Sequence, residues 1–94
     1  MPIQSVRHKG LWLLYEEDDA RGVPEGLADR LRDMLIALAT ARVIEEVGAM
    51  PGWELYLLKG DPTERWSLTV AHNCWLTFRF ERGDAFDLDL AEKL

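Results

Sequence analysis

Few side chains in this sequence are equipped to move protons. There are two histidines, His8 and His72, and one cysteine, Cys74. Imidazole has the ordinary pKa nearest neutrality, so a histidine is the first candidate for acid–base catalysis. His8 sits in "RHKGL", where it reads as a surface or helix-capping residue, and His72 sits in "HNC", a turn by composition. Cys74 and His72 together are too few ligands to hold zinc. By alternation Cys74 falls in step with Leu76 and Phe78, the pattern of a buried thiol. No Ser–His–Asp arrangement can be assembled, and glycine-rich phosphate loops are missing. Neither a metal nor a cofactor is expected. "KGD" at 59–61 and "RGD" at 82–84 read as turns.

The bulk properties narrow the classes. Ninety-four residues with 48% apolar content make one domain, residues 1–94, with a single core. The longest apolar runs, such as "LWLLY", fall short of the roughly 20 residues a helical membrane span needs. The opening residues carry no secretory pattern, and a lone cysteine suits a reducing compartment, so the expected location is the cytoplasm and no membrane partner is expected. Seventeen acidic residues against eleven basic ones give a net charge of −6, and the only lysines are Lys9, Lys59 and Lys93. Broad electrostatic capture of nucleic acid is therefore disfavoured. An acidic surface attracts basic partners instead.

Periodicity supplies the scaffold. "IQSV" at 3–6 suggests a short strand, and "RHKGLWLLYEEDD" a helix with Leu11, Leu14 and Tyr15 facing inward. The acidic run Glu16 to Asp19 is poorly placed at a helix C-terminus, where the macrodipole favours cations. From Pro24, "PEGLADRLRDMLIALATA" predicts a second helix, with Leu27, Leu31, Met34, Leu35 and Leu38 on one stripe. "ARVIEEVGA" predicts a further turn or two before Pro51-Gly52. The period then becomes two. "WELYLLKG", "RWSLTV", "CWLTFRFE" and "DAFDLDL" predict strands, the last with Phe86, Leu88 and Leu90 on the core side. Tight turns at 72–73 and 82–84 make the strands an antiparallel meander. The expected class is α+β: a sheet of three to four strands with two N-terminal helices packed on one face.

The segments "RHKGL", "PGW" and "LKGD....WSLTV..N..LTFRFE.GDA.DLDL" occur in order across nearly the whole chain. In this it resembles the HigB branch of the RelE/ParE toxin superfamily (the plasmid maintenance system killer proteins). That resemblance implies a microbial-ribonuclease-like fold with one open sheet face, cleavage of messenger RNA on the translating ribosome, and silencing by a cognate antitoxin. The chain departs from the family pattern at telling places. Tyr56 stands where "W.LHPLKGD" has a histidine, and Trp75 where "GNWRITFRF" has an arginine. The chain ends Glu92-Lys93-Leu94 where the family ends in an acidic residue, tyrosine and histidine. Trp12 and Leu13 replace lysines or other polar residues.

Two functions follow as expectations. RNA cleavage through a ribose 2′-hydroxyl needs a base, an acid and cations for the developing charge, and the swaps remove imidazole and guanidinium. The leading expectation is therefore a catalytically disabled HigB-like domain that binds a protein. Its patch would comprise Tyr56, Leu57, Trp75, Leu94 and Trp12, since aromatics dominate binding hot spots. The partner would be an antitoxin or a basic target protein, and the aromatic replacements would also suit an engineered scaffold. The alternative is a ribosome-dependent mRNA endonuclease with a divergent site drawn from Tyr56, Lys59, Arg79 and Glu92.

Overall fold

The computed structural model describes residues 1–58 and 64–92. Three helices, α1 (Lys9–Glu17), α2 (Ala28–Thr40) and α3 (Ile44–Gly48), precede four strands, β1 (Tyr56–Leu57), β2 (Arg65–Ala71), β3 (Cys74–Glu81) and β4 (Asp84–Glu92). The strands form one antiparallel sheet in the order β1-β2-β3-β4. This is the α+β meander that the periodicity predicts. A third, one-turn helix stands where a turn or two was expected.

The helices begin and end for local reasons. His8 caps α1, its Nδ1 accepting the Leu11 backbone N–H at 3.2 Å, which is the capping role expected of it. The predicted helix through Asp19 stops at Glu17 because Asp18 adopts the left-handed conformation at φ 53°. The acids beyond that point turn outward to arginines: Asp18 accepts from Arg32 Nε at 2.8 Å and Asp19 from Arg21. The second helix starts four residues later than Pro24 suggested. Leu27 N–H bonds Pro24 O and Gly26 has φ 85°, so residues 24–27 form a turn in a conformation that glycine supplies without steric cost.

One face of the sheet carries the core. Leu68 and Val70 of β2, Cys74, Leu76 and Phe78 of β3, and Ala85 and Leu88 of β4 meet Leu11, Leu14, Leu31, Met34, Leu35 and Leu38 from the helices, all buried. Leu27, the outermost member of the α2 stripe, is half-buried. Two strand predictions change. Among the described residues of "WELYLLKG" the strand itself is Tyr56–Leu57, because Trp53 turns into the core and Glu54 takes φ 45°. Residues 3–6 make isolated parallel bridges, Ile3 to Ala85 and Val6 to Leu88, and thus strap the edge of β4.

The largest correction lies in β4. Its register against β3 slips between Thr77 and Arg79, and Asp87 sits at φ 52°. An extra residue in one strand reverses the alternation beyond it. Ala85 therefore takes the core side that the sequence pattern assigned to Phe86, and Phe86 moves to the opposite face, beneath Arg79 at 5.3 Å from guanidinium carbon to ring centre.

Candidate functional site

The sheet face turned away from the helices is organised by register into three cross-strand rows. In the middle row Tyr56 pairs with Ser67, Ser67 with Thr77 and Thr77 with Asp89. On one side Thr69 pairs with Trp75 and Trp75 with Ala91. On the other Arg65 pairs with Arg79 and Arg79 with Phe86, while Leu58 donates its N–H to Arg65 O at 2.8 Å. Tyr56, Leu58, Ser67, Trp75, Thr77 and Ala91 line a shallow groove of about 300 Å³. Not one of these six residues is charged. Its floor is well packed, with Ser67 4% and Thr77 8% exposed, whereas Tyr56 is 60% exposed at its rim.

The two arginines beside the groove are held differently. Arg65 is buried; its Nη2 donates to Thr77 Oγ1 at 2.8 Å and to the Asp87 carbonyl at 2.7 Å. It therefore ties the groove floor to the β4 bulge. Arg79 donates from Nε to Asp87 Oδ2 at 3.0 Å and from Nη1 to Glu81 Oε2 at 3.3 Å. Pairing with Asp87 raises the Arg79 pKa further and holds the Asp87 carboxyl below its ordinary value. Arg7 reaches both Asp87 and Asp89 at 3.9 Å. Arg79 is thus paired with the acidic residues of β4 through Asp87.

The sequence-derived sites divide. Tyr56 and Trp75 share the groove, as their alternation requires. Leu57 does not join them: it pairs with Trp66, a residue packed against the core, so it faces the other side of the sheet. Trp12 is exposed on α1 and lines a small cleft with Ile3, Val6 and Tyr15, a separate surface. Leu94 and Lys59 lie outside the described residues. Arg79 is on the open face. Glu92 pairs with Cys74 and so has the opposite facing from Trp75 and Ala91; with burial as the larger cause, its charge helps raise the Cys74 thiol pKa. Leu58, Ser67, Thr77 and Arg65 escaped sequence reasoning. Polar Ser67 and Thr77 alternating with the core residues of "WSLTV" and "LTFRF" were the signal that could have found two of them. Among the described residues no group of three His, Cys, Asp or Glu is placed to hold a metal ion. No helix there is long and apolar enough to cross a membrane.

Comparison with known proteins bears on this face. Residues 4–92 match the family described as "RelE-like toxin of type II toxin-antitoxin system HigB". The chain is also similar to "Endoribonuclease HigB" of Proteus vulgaris, 44% identical over 87 residues that cover 93% of this chain and 94% of the relative. Of the two functional expectations, these likenesses support the ribonuclease and lend no support to a disabled or engineered binding module.

Proposed function

Because this chain belongs to the RelE-like HigB toxins of type II toxin–antitoxin systems, we propose that it is an endoribonuclease that cuts messenger RNA on the translating ribosome. It acts in the cytoplasm and is restrained by a protein antitoxin. The observation that carries the reading is likeness to a named endoribonuclease along nearly the full length of both chains. The open sheet face adds groups suited to the chemistry. In such a reaction the ribose 2′-oxygen attacks the adjacent phosphorus, and the bond from phosphorus to the 5′-oxygen breaks. The products are a 2′,3′-cyclic phosphate and a 5′-hydroxyl.

The charge gathering on the phosphate oxygens needs fixed donors. Arg79 supplies them: its fork has five N–H groups, and its bonds to Asp87 and Glu81 leave Nη2 to meet a phosphate. Arg65, buried one strand away, locks Thr77 and the bulge beneath it. Tyr56, exposed at the groove rim, is the candidate for handling the 2′-hydroxyl proton, in place of the family histidine. Lys59 is a second cation for the same phosphate by its place in the motif. Glu92, with the opposite facing, is set aside.

Purified protein added to a translating extract should cut reporter messages, and expression without antitoxin should arrest growth. Arg79→Ala should slow cleavage by about 100-fold, the usual loss for one transition-state donor. Intact messages with the unaltered chain, or full cleavage by R79A, would overturn the proposal.

A further inference from the structure

Resting on the ribonuclease reading, we infer that the groove between Tyr56 and Trp75 is a nucleobase subsite, with the base stacked on the Trp75 indole and Tyr56 closing the far wall. Three observations converge on a base rather than another part of RNA. Among the described residues the lining carries no charged side chain, so they offer a phosphate no cation. Tyr56 and Trp75 give the groove two aromatic flanks beside the aliphatic Leu58 and Ala91, and its floor carries two hydroxyls, Ser67 and Thr77. A flat ring with polar edges matches that combination, because bases stack on aromatic side chains and hydrogen-bond at their edges.

The third observation is where the cations lie. Arg65 and Arg79 occupy the neighbouring row, two residues along their strands from Ser67 and Thr77. At 3.3 Å per residue that offset is roughly 6.6 Å. A nucleotide with its base in the groove would therefore set its phosphate toward Arg79, and the groove would position the scissile bond. Trp75 thus has a use that its replacement of an arginine concealed. The cation is supplied from the next row, and the indole holds the substrate.

The hydroxyl floor also sets the expected selectivity. A serine or threonine O–H both donates and accepts, so it satisfies any base edge. Stacking itself tolerates every base because each has a π-face. The subsite should accept all four bases, with purines ahead of pyrimidines through their larger stacking area.

The test is titration of the purified full chain with AMP, GMP, CMP and UMP, following the Trp75 indole N–H by NMR, assigned with Trp75→Phe. Inorganic phosphate and ribose 5-phosphate are titrated as controls. The indole resonance should shift saturably with nucleotides, purines binding more tightly, and should not respond to the controls. Trp75→Ala and Tyr56→Ala should each weaken purine binding roughly 5- to 150-fold, the range for loss of one aromatic stack, while W75F should retain most of it. W75A should also slow message cleavage, and W75F should restore it. An indole that ignores nucleotides, or shifts equally with phosphate alone, would overturn the subsite. So would cleavage that W75A leaves unchanged, although the ribonuclease would then stand. Nucleotide binding by a chain that cuts no message would do the reverse, keeping the subsite and removing the nuclease.

Discussion

Asp87 joins the β4 bulge, the Arg79 guanidinium and the N-terminal strap, and replacing it should separate their contributions. Its backbone N–H donates to Ser5 Oγ at 2.8 Å, and Ser5 Oγ donates to Asp87 Oδ1 at 3.1 Å. Oδ2 accepts from Arg79 Nε at 3.0 Å, and the residue holds φ 52°. Asp87→Asn keeps a side chain that tolerates the left-handed region and loses the ion pair. The side chains are about one-third exposed, so that loss should cost about 1 kcal/mol. Asp87→Ala loses the same pair and also the side-chain oxygen that accepts from Ser5 Oγ and helps a short polar residue hold the left-handed conformation, roughly a further 1 kcal/mol. For a domain of this size each kcal/mol lowers Tm by roughly 4–8 °C. Thermal unfolding followed by circular dichroism should rank wild type above D87N and D87N above D87A. Acidification supplies a second reading. Arg79, and then the Ser5 hydroxyl, lower the Asp87 pKa from 3.8, so the carboxylate stabilises the fold above that value. This contribution is lost as pH falls through the lower folded pKa, and wild type and D87N should converge in strong acid. Equal stability of D87A and D87N at neutral pH would refute the backbone argument, and a gap that persists in strong acid would refute the charge argument.

Two further substitutions test the packing beneath the site. Gly10 lies inside α1, where Gly→Ala ordinarily stabilises by roughly 0.5–1 kcal/mol. Here a Cβ on Gly10 would overlap the Gly22 carbonyl, and one on Gly22 would stand 2.6 Å from Gly10 Cα. Gly10→Ala should therefore destabilise by about 1–3 kcal/mol, read as a lower urea midpoint; an unchanged or higher midpoint would show that the backbone at Gly22 yields. Phe78 is fully buried at the centre of the sheet. Phe78→Ala should cost about 3–5 kcal/mol, a large share of the stability of a small domain, measured by denaturant titration, and a cost below 1 kcal/mol would place the core elsewhere.

The sequence by itself determined the class of the fold and the facing of most strand residues. Leu68, Val70, Leu76 and Phe78 went where a period of two sends them, and Tyr56 and Trp75 came to share a face for the same reason. The stripe Leu31, Met34, Leu35 and Leu38 was legible because burying one side of a helix leaves a repeat of 3.6. Family membership was legible too, in motifs spread along the whole chain. Tertiary structure alone decided the rest. The β4 bulge reverses the facing of Phe86 at a residue whose composition gives no warning, because its left-handed turn is held by Ser5 from the far end of the chain. Leu57 and Trp12 read as members of one aromatic patch, yet register and the helix layer place them on other surfaces. The groove depends on which residues of four strands stand in adjacent rows. That is a relation between segments distant in sequence, set by cross-strand hydrogen bonds that no local pattern encodes.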